Sequence, residues 1–209
     1  MCVAMDRIVR LGTSGTRESQ IAEGRFSTSN RVTIFLVESL PSAIWASRVP
    51  AVPRRTIRSI AAHFHNSRCG WIRTLGWDLR VPAPARVDPF RVTRRDLARA
   101  LERSGEGMGR LLRLGIENGG SLPPSSRYVW RNLPLDVAHV LSYFVAHEGH
   151  HRGQLVLAAR QLGHRLPVST MAGLWDWRRR SNEGKGSALK PKSAGRARKG
   201  LLRRPTPAR

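Results

Sequence analysis

The chain is poor in several residue types, and each shortage excludes something. Two cysteines, Cys2 and Cys69, in 209 residues are too few for a disulfide-built scaffold or a Cys-rich zinc module. No apolar run approaches the ~20 residues that a membrane-spanning helix needs. The best stretch, Val32 to Val37, is six residues long and meets Glu38. A polar leader precedes it, so no secretory signal and no membrane partner are expected, and the expected setting is the reducing cytoplasm. Aromatics make up 6% of the residues, and all four lysines (Lys185, Lys190, Lys192, Lys199) lie near the C-terminus. Alternating apolar/polar runs joined by hairpin turns are missing, as is any repeat of fixed period.

Positive charge is abundant. Lys+Arg number 37 against 14 Asp+Glu, a formal net charge of +23. From Arg178 to Arg209, 12 Lys+Arg face one acid, Glu183, while the preceding body uses arginine alone. This shift places a boundary near residue 180, and residues 180–209 are expected to form a basic, disordered tail. Such a tail can make weak nucleic-acid contacts through counterion release. Residues 1–28, with GTSGTRESQ and AEGRFSTSN, are similarly polar and are expected to be a disordered leader. Residues 29–179 remain as the folded domain.

Within that domain the apolar spacing is helical. A first segment runs from about Arg31 to Ala46, with a break possible at Pro41. A second runs from about Arg54 to Leu75 and is followed by the Pro-rich loop Val81 to Pro89. The third opens at Thr93, with Asp96 placed as in a capping box, and reaches about Glu117. Gly105, Gly107 and Gly109 weaken the expectation of one unbroken helix there. The fourth, from Pro134 to a stop at Gly163 and Pro167, has the clearest boundaries. Together they imply an all-α fold, a four-helix bundle around one core. GLWDW, Gly173 to Trp177, is expected to act as a lid packing two indoles on the bundle end.

Chemistry concentrates in the fourth segment, His147-Glu148-Gly149-His150-His151-Arg152-Gly153-Gln154. At 100° per residue, His147 and His151 lie about 40° apart and one turn above each other, so both imidazoles can reach one ion. Val140, Phe144, Leu155, Ala158 and Leu162 share their stripe, which directs the pair inward. The same string matches the HExxH pattern of zinc peptidases, with Glu148 as general base. However, Gln154 and Leu157 stand where a third downstream ligand motif would need Gly and His, and no later helical Glu is available. A third ligand from the second segment fits better. There His63 and His65 flank the apolar arc at about 100° on opposite sides, so periodicity alone does not choose. Small neighbours on its own face (Thr56, Ser59, Ser67, Gly70) favour His63, whereas His65 shares its face with Arg58 and Arg68.

These strings together amount to a resemblance. H-x-H-N-x-R with Trp71 eight residues after its first histidine, then HEGHHRGQ, RQLGH-x-LP and GLWDW, resemble the DinB-like, damage-inducible family, over about Arg31 to Arg179. The resemblance implies a four-helix bundle with a three-histidine metal site. It places the ligands at His63, His147 and His151, for a divalent transition metal such as Zn, Ni, Mn or Fe. It also implies a possible thiol-dependent transferase or isomerase that uses a low-molecular-weight thiol. Three neutral imidazoles leave one to three positions open on the ion, which suits a catalytic centre acting on a small molecule, hydrolytic chemistry included. Glu148 and Gln154 are the candidate catalytic or ligand-orienting residues, His150 a candidate outer partner, and Cys69 a packing residue. A homodimer is compatible with this reading. The alternative is a nucleic-acid-associated or stress-response protein in which the tail binds and the bundle is scaffold.

Overall fold

The computed structural model describes residues 2–183, with side chains from residue 17 onward. The remainder of the expected basic tail, 184–209, lies outside the described residues. Six helices and one short hairpin follow in order: α1 (Cys2–Ser39), β1 (Arg48–Val49), β2 (Val52–Thr56), α2 (Ile57–Leu75), α3 (Arg94–Glu117), α4 (Val137–Gln161), α5 (Val168–Trp175) and α6 (Trp177–Asn182). In the bundle, α1 and α2 each pack against both α3 and α4, while α5 and α6 lean on α1.

Local chemistry sets the helix ends. Thr56 and Ser59 cap α2 reciprocally, each side chain accepting from the other's backbone N–H, which satisfies two donors that the first turn would otherwise leave open. Thr93 accepts from the Asp96 N–H at the start of α3, and Asp136 accepts from the His139 N–H at the start of α4. Gly163, at φ +80°, adopts the left-handed conformation that ends α4 without a Cβ clash.

The structure departs from the sequence reading in five places. The expected leader through residue 28 is helical where it is described, and Ala22 and Phe26 are buried in the core. The first helix therefore belongs to α1, not to Arg31–Ala46; it stops at Ser39, and a 3-10 turn at Ser42–Ile44 follows Pro41. A two-stranded hairpin precedes α2 where no strand was expected; it is too short for alternation to show. The lid differs too: Trp175 is 81% exposed, so the two indoles do not both pack on the bundle. Finally, the domain extends past residue 180. Arg180 is buried, its guanidinium lies 3.9 Å from the Phe35 ring centroid, and Arg31 donates to its carbonyl.

α3 is continuous despite its glycines. A Cβ at Gly105 would collide with the Asn30 side-chain amide, and one at Gly107 would come 2.7 Å from Ile72 Cδ1. These glycines trade helix propensity for close approach of α3 to α1 and α2. Asn30 cannot easily retreat, because its Oδ1 accepts from Arg68 Nη1 at 2.7 Å. Gly105→Ala is therefore expected to destabilise the protein by about 1–3 kcal/mol, against the ~1 kcal/mol gain that alanine brings to an open helix. Denaturant unfolding of the variant tests this, and a stabilised variant would show that α3 has room to move.

The core is divided. One apolar cluster holds Leu36, Leu40, Ile57, Phe64, Leu97 and Leu155; the other holds Phe26, Ile72, Met108, Leu111, Val140 and Phe144. Between them lies a polar layer to which each bundle helix contributes: Asn30 and Thr33, Arg68, Ser104, and Glu148. Arg68 Nε and Nη2 donate to the two Glu148 oxygens at 2.7 and 2.8 Å, and Arg68 Nη1 reaches Asn30 and the Leu101 carbonyl. Thr33 donates to Glu148 at 3.1 Å. Bidentate geometry and the additional partners offset the heavy desolvation of two buried charges.

Candidate metal centre

At the level of this polar layer, α2 and α4 present histidines to each other. His63 comes from the second turn of α2, and His147 and His151 from consecutive turns of α4. One ring nitrogen from each lies within 4.8 Å of the others. The His63 ring is 4.6 Å from that of His151 and 5.4 Å from that of His147, centroid to centroid. His147 Nε2 and His151 Nε2 face each other at 3.1 Å. Two imidazoles bound to one tetrahedral ion at about 2.0–2.1 Å would hold their nitrogens about 3.3 Å apart, so the α4 pair needs little adjustment.

Neighbouring side chains set the proton positions. Gln154 Oε1 lies 2.8 Å from His151 Nδ1. An amide oxygen only accepts, so Nδ1 carries the proton and Nε2 keeps a free lone pair aimed at the cluster. Gln154 Nε2 in turn donates to His150 Nε2 at 2.9 Å, which joins the exposed His150 to the site as an outer partner. Tyr143 stacks on His147 with planes 9° apart, and Phe64 meets the His151 ring edge-on.

The rings are held neutral. Burial, followed by the neighbouring His151 and His147 and by Arg55, pushes the His63 pKa down from 6.5 to about 4. Burial also lowers His147 and His151. Neutral imidazole is the form that binds a metal. For metal-free protein the sign of the pH effect follows from His63. Between about pH 6.5 and 4 the unfolded chain binds the proton first, so stability is complete above that window and falls as pH drops through it. The melting temperature of chelated protein is expected to fall between pH 7 and 5, and less steeply in His63→Ala. Equal slopes for the two proteins would contradict the assignment.

The other candidates lie elsewhere. His65 is fully buried, and its Nε2 donates to the Ala85 carbonyl at 2.9 Å; it ties the 81–89 loop to α2 and stays out of the cluster. Cys69 is buried 3.3 Å from His65 Nε2, and burial raises its thiol pKa, which suits packing over reactivity. Glu148, the general-base candidate, is 1% exposed and bound to Arg68 in the polar layer, so it is not free to serve the histidines as acid or base. From the sequence, Arg68 figured as part of the H-x-H-N-x-R string and as a neighbour of His65, and its partner Glu148 was missed. An acid inside an otherwise inward-facing stripe, with a cationic residue on the helix opposite, was the available signal. Tyr143 was missed as well, although it stands four residues before His147 on one helix face.

The model of the DinB family matches residues 24–183. The chain belongs to the DinB family. No curated protein and no solved structure matches it. The family match starts within α1 and ends just past α6, so it takes in the later part of α1 and every element after it, together with all three clustered histidines. Among the described residues, no helix is long and apolar enough to cross a membrane.

Proposed function

We propose that this DinB-family protein is a metal-dependent enzyme acting on a small molecule, with His63, His147 and His151 as the ligands of one divalent transition metal. The observation that carries this reading is the convergence of three neutral imidazoles from two helices, with the His151 tautomer set by Gln154. His63 and His147 are only half-buried, so a fourth partner can enter from outside. The metal would supply a Lewis acid able to polarise a substrate oxygen or favour an ionised thiol. Thiol transfer or hydrolysis in the cytoplasm suits such a centre, with a low-molecular-weight thiol as one candidate co-substrate. In that chemistry Gln154 holds His151 in place, Tyr143 braces the His147 ring, and Arg55 adds positive charge felt by His63 and His151.

The direct test is elemental analysis of purified protein together with its thermal response to chelation. About one Zn, Ni, Mn or Fe per chain is expected. Readdition at a hundredfold excess over Kd should raise the melting temperature by about 5–10 °C. Protein that stays metal-free and does not respond to any of these ions refutes the proposal.

A further inference from the structure

A cleft of about 530 Å³ opens along α2, lined by Ser67, Trp71, Arg73, Arg86, Trp130 and Asn132. Ser67 lies one helical turn beyond His63 on the same face. An aromatic line also joins the two places: Trp71 packs 5.5 Å from Tyr143, and Tyr143 stacks on His147. The lining contains two arginines and no acid. Among the described residues neither Arg73 nor Arg86 has an ion-pair or hydrogen-bond partner for its guanidinium.

Arg86 is held in place through its neighbours on both sides. His65 Nε2 donates to the Ala85 carbonyl, Asn66 Nδ2 donates to the Val87 carbonyl, and the Val87 N–H donates back to Asn66 Oδ1, each at 2.9 Å. The backbone on either side of Arg86 is thus fastened to α2. Its guanidinium lies against Gly70, where a Cβ would come 3.2 Å from Nη2. Arg86 is exposed, and its unpaired cation, on a fastened loop in a cleft walled by Trp71 and Trp130 and one helical turn from His63, is available to the charged end of a ligand.

We propose that this cleft binds the carboxylate or phosphate of a small organic anion, with Arg86 as its main anchor, and presents the rest of that molecule to the three histidines. This assignment of a substrate class rests on the metal-centre reading for its chemistry but not for its binding. His65 and Asn66 are positioning residues: they act through the loop and touch no ligand.

Titration calorimetry of the metal-loaded full chain with inorganic phosphate and with succinate, at fixed ionic strength, tests the assignment. Saturable binding of one anion per chain is expected. Arg86→Ala should weaken it about tenfold, as loss of a charge-assisted contact does, and Arg86→Lys less. Arg99→Ala, which removes an exposed arginine paired with Asp96 on α3, changes net charge equally and should leave binding intact. Tighter phosphate binding assigns a phosphoryl group, and tighter succinate binding a carboxylate. No saturable binding, equal affinity in Arg86→Ala, or equal loss in Arg99→Ala overturns the proposal. A His63→Ala arm separates it from the metal reading. Anion binding that still depends on Arg86 in that background supports the cleft by itself. Metal-loaded protein whose anion binding ignores Arg86 overturns the cleft and leaves the metal centre standing.

Discussion

His63→Ala is expected to lose tight metal binding, while His65→Ala keeps it. The two residues are neighbours but one in sequence, yet they face opposite ways. His63 points to α4 and joins His147 and His151, whereas the His65 ring is committed to the Ala85 carbonyl. Two imidazoles from α4 alone leave the ion too few protein ligands, so the metal-to-protein ratio of dialysed His63→Ala should approach zero. His147→Ala and His151→Ala should behave alike. His65→Ala should instead cost about 1–3 kcal/mol of stability, because it removes a buried hydrogen bond and leaves the carbonyl of a fastened loop unpaired. His150→Ala, which removes the Gln154 contact and a ring edge packed on His151, should weaken binding modestly. Full metal content in His63→Ala would remove the three-histidine centre altogether.

Glu148→Ala should produce the largest loss of stability. The substitution leaves the buried Arg68 guanidinium without its bidentate partner and Arg152, 3.8 Å from the same carboxylate, without compensation. Breaking one side of a buried pair costs about 3–5 kcal/mol, which for a chain of this size corresponds to a melting temperature lower by about 10 °C. The double variant Arg68→Met/Glu148→Leu removes both charges and should recover most of that loss, since an apolar layer of similar volume often matches a buried ion pair. The double variant also separates structure from chemistry. If it is folded and binds metal like the parent, Glu148 serves to partner Arg68 in the bundle and is not needed for the ion. A Glu148→Ala variant as stable as the parent would show that water reaches the polar layer.

The pairing of the two clustered histidines on α4 could be read from the chain because their relation is local. His147 and His151 lie on one helix, four residues apart, and helical geometry alone brings their rings to one ion. The cap at Thr93 and the stop at Gly163 are similarly local, so α2, α3 and α4 could be placed to within a few residues at their ends. The start of α1 was not legible, because residues such as Ser19 and Thr28 are polar yet buried, and composition counts them as leader.

Other features needed the neighbouring helices. His63 and His65 sit symmetrically about the apolar arc of α2, and small neighbours favoured the first; the packing of α2 against α4 and of the 81–89 loop against its far side is what separates them. Glu148 carries the same local signal whether it serves a metal or an arginine, and only the approach of α2 brings Arg68 to it. The glycines of α3 read as helix breakers by propensity and become contact points once α1 and α2 lie against them. Periodicity along a chain reports which face of a helix is apolar. Which flank of that face meets another helix, a loop or solvent is decided only when the elements pack.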